Sequence, residues 1–217
     1  MRPFLIASTV AISMVLAIAP ANAIPIAAGG VVSVVAVPNP TGTILADTGL
    51  ESYSYGSPLS TGTIREIVIA DTSNPFGPGD LSFVYQASVA TGDLGRVTGS
   101  SFAGVLTDVG INNPLAPFIT SGTATPTLIT RSAGAGDVIG FNFIPSIAPD
   151  AGSSDTSFAL IVRTNATTFN PGSIGVIDGG GQTLVGFAPT VIPEPGTLLL
   201  LGSGIAGLVR FGRPRRG

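Results

Sequence analysis

The chain has 217 residues, of which 30 are Gly and 18 Pro, yet 44% are hydrophobic and only 10% charged. Turn formers in excess, without the polarity of a disordered chain, indicate a folded and turn-rich protein. Cys, His, Lys and Trp are absent, all nine basic groups are Arg and the net charge is −3, which excludes disulfides, thiolate or imidazole metal sites, Cys-His and Ser-His dyads and lysine Schiff bases.

At the N-terminus Arg2 precedes an uncharged apolar run from Phe4 to Ala19, and Pro20 leads into Ala21-Asn22-Ala23. This is the order of a secretory signal peptide: a charged start, an apolar middle and a small-x-small cleavage site. The expected cut follows Ala23, with Ala21 and Ala23 read by signal peptidase after export through the Sec machinery. Residues 24–192 then carry four arginines (65, 96, 131 and 163) against eleven carboxylates, a net charge of −7. So acidic a body excludes nucleic acid as a partner.

The body shows period-2 alternation and no sustained 3.6-residue period, which predicts strands. In chain order these are Val31–Val37, Thr63–Ala70, Leu81–Val89, Arg96–Phe102, Gly104–Val109, Thr127–Arg131, Ile139–Phe143, Phe158–Arg163, Ser173–Ile177 and Thr183–Phe187. Turn signals separate them at Asn74-Pro75, Gly77-Pro78-Gly79, Asn113-Pro114, Asn170-Pro171-Gly172 and Asp178-Gly179-Gly180-Gly181. About ten short strands without crossover helices predict an all-β, antiparallel β-sandwich of jelly-roll or immunoglobulin-like type over residues 24–190.

Little in this body can carry chemistry. A glycoside hydrolase needs only two carboxylates, but Glu51 and Glu66, the body's only glutamates, sit in no motif. The Gly/Asp loops at Gly79-Asp80, Gly134–Asp137 and Asp178–Gly181 lack the spacing of a calcium site and read as turns, so no metal or cofactor is expected. Thr123, Thr125 and Thr127 make a single short threonine row interrupted by Pro126. Asn165-Ala166-Thr167 matches a glycosylation sequon by chance composition. Tyr53-Ser54-Tyr55 places two rings on one strand face, and is the candidate ligand platform for an extracellular polysaccharide.

The C-terminus holds a second signal. Pro193-Glu194-Pro195 is followed by an uncharged stretch rich in Leu and Gly, with a helix expected over about 197–209, and then by Arg210, Arg213, Arg215 and Arg216. The fifteen uncharged residues between Glu194 and Arg210 would rise roughly 22 Å as a helix, short of the ~30 Å hydrocarbon core, so they suit a temporary transmembrane anchor. The arginines stay cytoplasmic by the positive-inside bias. Each proline disfavours the helical region for its predecessor, which holds Ile192 and Glu194 extended for an enzyme to read.

From Ile192 to Gly217 this arrangement closely resembles the PEP-CTERM sorting domain, also called the ice-binding-protein C-terminal domain, a name that describes an anchor. The resemblance implies processing by an exosortase, a membrane transpeptidase-like enzyme of Gram-negative bacteria. Pro193, Glu194 and Pro195 are then recognised residues, and there are no catalytic ones. More loosely, the stretches Leu81–Tyr85 and Arg163–Asn165 resemble those of other secreted PEP-CTERM proteins. The expectation is a non-enzymatic protein, passing transiently through the inner membrane to the cell surface or biofilm matrix. A carbohydrate-binding or adhesive module is the alternative, and a secreted carboxylate-dependent glycoside hydrolase a distant third.

Overall fold

The computed structural model describes residues 25–113, 120–149 and 155–190, so the signal-peptide and sorting-signal expectations lie outside the described residues. Within them the chain forms thirteen strands and no helix: β1 (Val31–Ser33), β2 (Gly42–Asp47), β3 (Glu51–Tyr55), β4 (Ser60–Asp71), β5 (Leu81–Thr91), β6 (Leu94–Gly99), β7 (Thr107–Asn112), β8 (Leu128–Arg131), β9 (Ile139–Ile147), β10 (Asp155–Thr156), β11 (Ala159–Thr164), β12 (Thr168–Ile177) and β13 (Gly181–Thr190). One sheet runs β1-β8-β9-β6-β12-β13. The other runs β2-β4-β5-β11-β7, with β3 also paired to β4 and β10 to β5. Every pairing between these strands is antiparallel.

Alternation decides what each strand buries. Ile64 and Val68 of β4, Phe83 and Tyr85 of β5 and Leu160 and Val162 of β11 join Val97, Phe141, Ile174 and Val176 of the first sheet in one core. Phe83 meets Phe102 edge-on, ring centroids 5.6 Å apart, a geometry worth about 1 kcal/mol beyond the area it buries. The opposite face of the second sheet is also apolar. There Ile67, Ile69, Val84, Ala159 and Ile161 form a smaller cluster, against which Val37 and Ile44 pack. All six residues of β11 are therefore buried.

The strands predicted at Leu81, Ile139, Phe158, Ser173 and Thr183 are present within a few residues, and β2, β3 and β10 are additional. Two boundaries move for identifiable reasons. Val31–Val37 is not one strand: β1 pairs with β8 in the first sheet, and the chain then crosses over so that Ala36 bridges Ile111 of β7 in parallel. Gly110 allows this approach, because a Cβ there would collide with Val37 and the Val35 carbonyl. The strand expected over Gly104–Val109 begins only at Thr107. Residues before it turn, with Ser101 and Gly104 at φ 67° and 78°, and the carbonyls of Phe102 and Val105 accept from the Arg131 guanidinium. Thr123–Thr127 forms no strand; Ala124 makes an isolated bridge to Ser157. The Gly/Asp loops are turns, and no group of three acidic side chains that could hold a metal occurs among the described residues.

Candidate functional site

A cleft of about 730 Å3 opens at the β7 edge of the second sheet. The crossing segment forms one wall with Val35, Val37 and Pro38, and the loop after β4 forms the other with Pro75, Phe76 and Pro78. Arg163 of β11 and Asp108 of β7, brought opposite by the β11–β7 register, stand at its base. The Arg163 guanidinium donates to the Pro38 carbonyl, lies 3.9 Å from Asp71 Oδ2, and has Nη1 3.7 Å from Asp108 Oδ2. Burial pulls Arg163 down from its ordinary value, opposed first by Asp71 and then by Asp108.

The two carboxylates differ. Asp71 accepts from the Thr41 amide at 2.9 Å, from the Ser73 amide at 2.9 Å and hydroxyl at 2.7 Å, and from the Ser82 hydroxyl at 2.8 Å. Its oxygens are thus satisfied within the fold. Asp108 has its neighbouring Val109 amide and the distant guanidinium, and burial pushes its carboxyl up against both. Of the three, Arg163 and Asp108 line the cleft, and Asp71 is fully buried.

A second polar feature lies between the sheets. Glu66 alternates with Ile64 and Val68, so it faces the core, fully buried and opposite Tyr85 across the β4–β5 ladder. Its Oε2 accepts from the Phe187 amide of β13 at 2.8 Å. Its Oε1 and the Tyr85 hydroxyl are enclosed without a hydrogen bond of ordinary geometry. Burial pushes the Glu66 carboxyl up to about 8, opposed by the Phe187 amide and the Tyr85 hydroxyl and reinforced by Glu51. A carboxyl held protonated can donate, so the enclosed pair has a donor to share.

This raised value fixes the sign of a pH effect. The unfolded chain loses the Glu66 proton near 4.5 and the folded chain near 8. The contribution to stability is complete below about 4.5 and falls as pH rises toward about 8, by on the order of 5 kcal/mol across the window. Glu66→Gln keeps an acceptor for Phe187 and removes the ionisation. It is expected to stabilise the protein by about 3 kcal/mol at pH 7, or roughly 5–10 °C in melting temperature. Melting curves of both proteins between pH 5 and 8 measure this; parallel pH dependences would show that Glu66 is not the titrating group.

The candidate platform at Tyr53 and Tyr55 is corrected by the structure. The two rings do share one face of β3, stacked with centroids 5.7 Å apart and planes at 23°, but that face points inward. The residues are 2% and 6% exposed. Each hydroxyl donates to a backbone carbonyl, Tyr53 to Ser88 at 3.0 Å and Tyr55 to Asp93 at 2.9 Å. Burial pushes both phenols up, Tyr55 to about 12 with help from Asp178 and Asp93. Pairing with the long strand β4 on one edge draws the tyrosines under the sheet, where a sugar cannot stack on them.

The last strand connects the body to the C-terminal signal. β13 ends at Thr190, paired with Thr168, and only Val191 and Ile192 separate it from Pro193. Residues 191–216 match the PEP-CTERM protein-sorting motif. The PEP-CTERM match covers the Pro-Glu-Pro triplet, the apolar stretch and the arginines, and implies export, sorting at a membrane toward the cell surface, and an exosortase as processing partner. No curated protein and no solved structure matches the chain. Pro193, Glu194, Pro195 and the four tail arginines, like Ala21 and Ala23, lie outside the described residues. Sequence reasoning missed Asp108 and Arg163 as site residues, and weighed Glu66 only as a carboxylate without a motif. Glu66 and Arg163 each sit two positions from a buried aliphatic residue, and that spacing was the available signal; Asp108, between Leu106, which is exposed, and Gly110, offered none.

Proposed function

We propose that this chain is a non-enzymatic, exported cell-surface or biofilm-matrix protein of a Gram-negative bacterium. In this proposal residues 1–23 are a signal peptide, residues 24–190 a β-sandwich and residues 191–217 a sorting signal. Two sheets sharing one core support the sandwich. The single observation that carries the function is the PEP-CTERM match directly after the last strand. Four residues from Thr190 to Glu194 span at most about 14 Å, so a cut at the motif releases a body with almost no tail. In this mechanism the apolar segment pauses in the inner membrane, the arginines hold it from the cytoplasm, and the exosortase then severs the body from them.

The absence of chemistry is a proposal of the same kind. Glu66, one of only two glutamates in the body, is enclosed between the sheets with Oε2 held by a backbone amide, out of reach of a substrate. Removing Glu194 tests the sorting mechanism. In a host with an active exosortase, Glu194→Ala is expected to lose nearly all processing while export and melting temperature stay unchanged. The intact mass of surface-released wild type and variant reads the outcome. Wild-type protein still carrying residues 198–217 would refute the sorting role.

A further inference from the structure

We infer that the cleft binds a small apolar molecule bearing a neutral amide whose N–H and C=O point to the same side, as in a primary amide or a lactam. This goes beyond the sorting reading and does not depend on it, since both walls and the base lie within the described residues. Size and walls set the body of the ligand. About 730 Å3 falls within the range of small-molecule pockets. Val35, Val37 and Pro38 on one side and Pro75, Phe76 and Pro78 on the other present it with apolar side chains alone.

Arg163 and Asp108 set the head. Arg163 Nη2 donates to the Pro38 carbonyl, and its Nε is enclosed without a hydrogen bond. Nη1 faces Asp108 Oδ2 across 3.7 Å, too far for a direct hydrogen bond. Asn74, the other buried polar side chain of the lining, is already engaged. Its amide donates to the Leu81 and Thr164 carbonyls, and its oxygen accepts from the Phe76 amide. The base therefore offers a ligand one donor and one acceptor side by side. A carboxylate head would be repelled by Asp108, and an ammonium head by Arg163. An amide satisfies both, its carbonyl accepting from Nη1 and its N–H donating to Oδ2. Amide oxygen and nitrogen lie about 2.3 Å apart by standard bond lengths. Two bonds of about 2.9 Å then reach atoms 3.7 Å apart with little splay. A trans peptide sends its N–H and C=O to opposite sides, which excludes an ordinary peptide backbone and selects the primary amide or lactam.

The full-length chain, purified from bacterial cells, is titrated by calorimetry at neutral pH with octanamide, N-methyloctanamide, octanoate and octylamine, which share one alkyl chain. Octanamide is expected to bind about tenfold more tightly than the others, because each of those lacks one of the two bonds or meets a like charge. N-methyloctanamide is the closest control, since its trans N–H points away from Asp108. Asp108→Asn removes the repulsion and is expected to invert the order. Octanoate then binds most tightly, its two oxygens accepting from Nη1 and from the new side-chain amide. Val35→Trp fills the wall from a half-exposed position and is expected to weaken octanamide by about tenfold, a test that holds even if Asp108→Asn fails to fold. Equal affinity for octanamide and N-methyloctanamide, or tighter octanoate or octylamine, in the wild type would overturn the amide head. So would a folded Asp108→Asn variant that keeps the wild-type order. Octanamide that fails to bind, or that binds the tryptophan variant as well as the wild type, would overturn the site itself.

Discussion

Arg131→Met is expected to destabilise the protein by about 4 kcal/mol or more, while Arg131→Lys falls between it and the wild type. The Arg131 guanidinium is buried with no carboxylate within ion-pair distance among the described residues, yet all five of its N–H groups donate. Nε donates to the Gly136 carbonyl at 2.8 Å, Nη1 to the Ile26 carbonyl and Thr107 hydroxyl at 2.9 Å each, and Nη2 to the Phe102 and Val105 carbonyls at 2.7 and 3.0 Å. These acceptors come from the N-terminal segment, the turn before β7, β7 itself and the β8–β9 turn. One planar fork thus joins four pieces of chain that share no ladder through it. Gly136 must be glycine for this, because it has φ 68° and a Cβ there would strike Arg131 Nε.

Methionine fills similar volume and leaves four carbonyls and a hydroxyl without their donor. Each such group costs roughly 1–3 kcal/mol when it stays buried, and partial relaxation recovers some of the sum. Lysine supplies three donors from a point charge and cannot match the fork. Chemical unfolding of the three proteins measures the order. A methionine variant within 1 kcal/mol of wild type would show that water replaces the guanidinium at no cost.

The pattern that exposes Arg131 was present in the sequence and points to how such residues are read. Ile129 is two positions before Arg131 on the same face of β8 and is fully buried, so the arginine faces inward with it. Glu66 follows the same logic between Ile64 and Val68. Hydrophobic alternation recovers β5, β9 and β11, where most of the buried residues are aliphatic or aromatic, but it assigns a polar residue to the solvent face by default. That default fails where a polar side chain finds partners inside, and those partners come from distant segments: Glu66 meets β13, and Arg163 meets β4 and β7. The β2 strand was hidden for another reason. Its burial alternates only weakly, and a bulge between Ile44 and Ala46 shifts its register, so half of it shows no period of two. The sorting motif over residues 191–216 was legible, because such a motif is read from order along the chain and not from tertiary contacts.

The largest single loss is expected from Tyr53→Ala combined with Tyr55→Ala, a change that leaves folding intact if the rings are a surface platform and abolishes it if they are core. Large aromatic-to-alanine truncations inside a packed core cost about 3–5 kcal/mol each. The two rings stack on one another, so one cavity serves both and the costs do not simply add. Even so, a loss of roughly 6 kcal/mol reaches the lower bound of the 5–15 kcal/mol that holds a typical domain together. Loss of the pair also detaches β3, whose link to the rest of its sheet is the ladder with β4 alone. The corresponding phenylalanine changes separate the contributions. Tyr53→Phe removes the bond to Ser88 and Tyr55→Phe the bond to Asp93, each worth about 1 kcal/mol, while the packing remains. Two phenylalanine variants that melt within a few degrees of wild type, beside a double alanine variant with no cooperative transition, are the expected result. A double alanine protein that melts normally would return the tyrosines to the surface and restore them as a sugar platform.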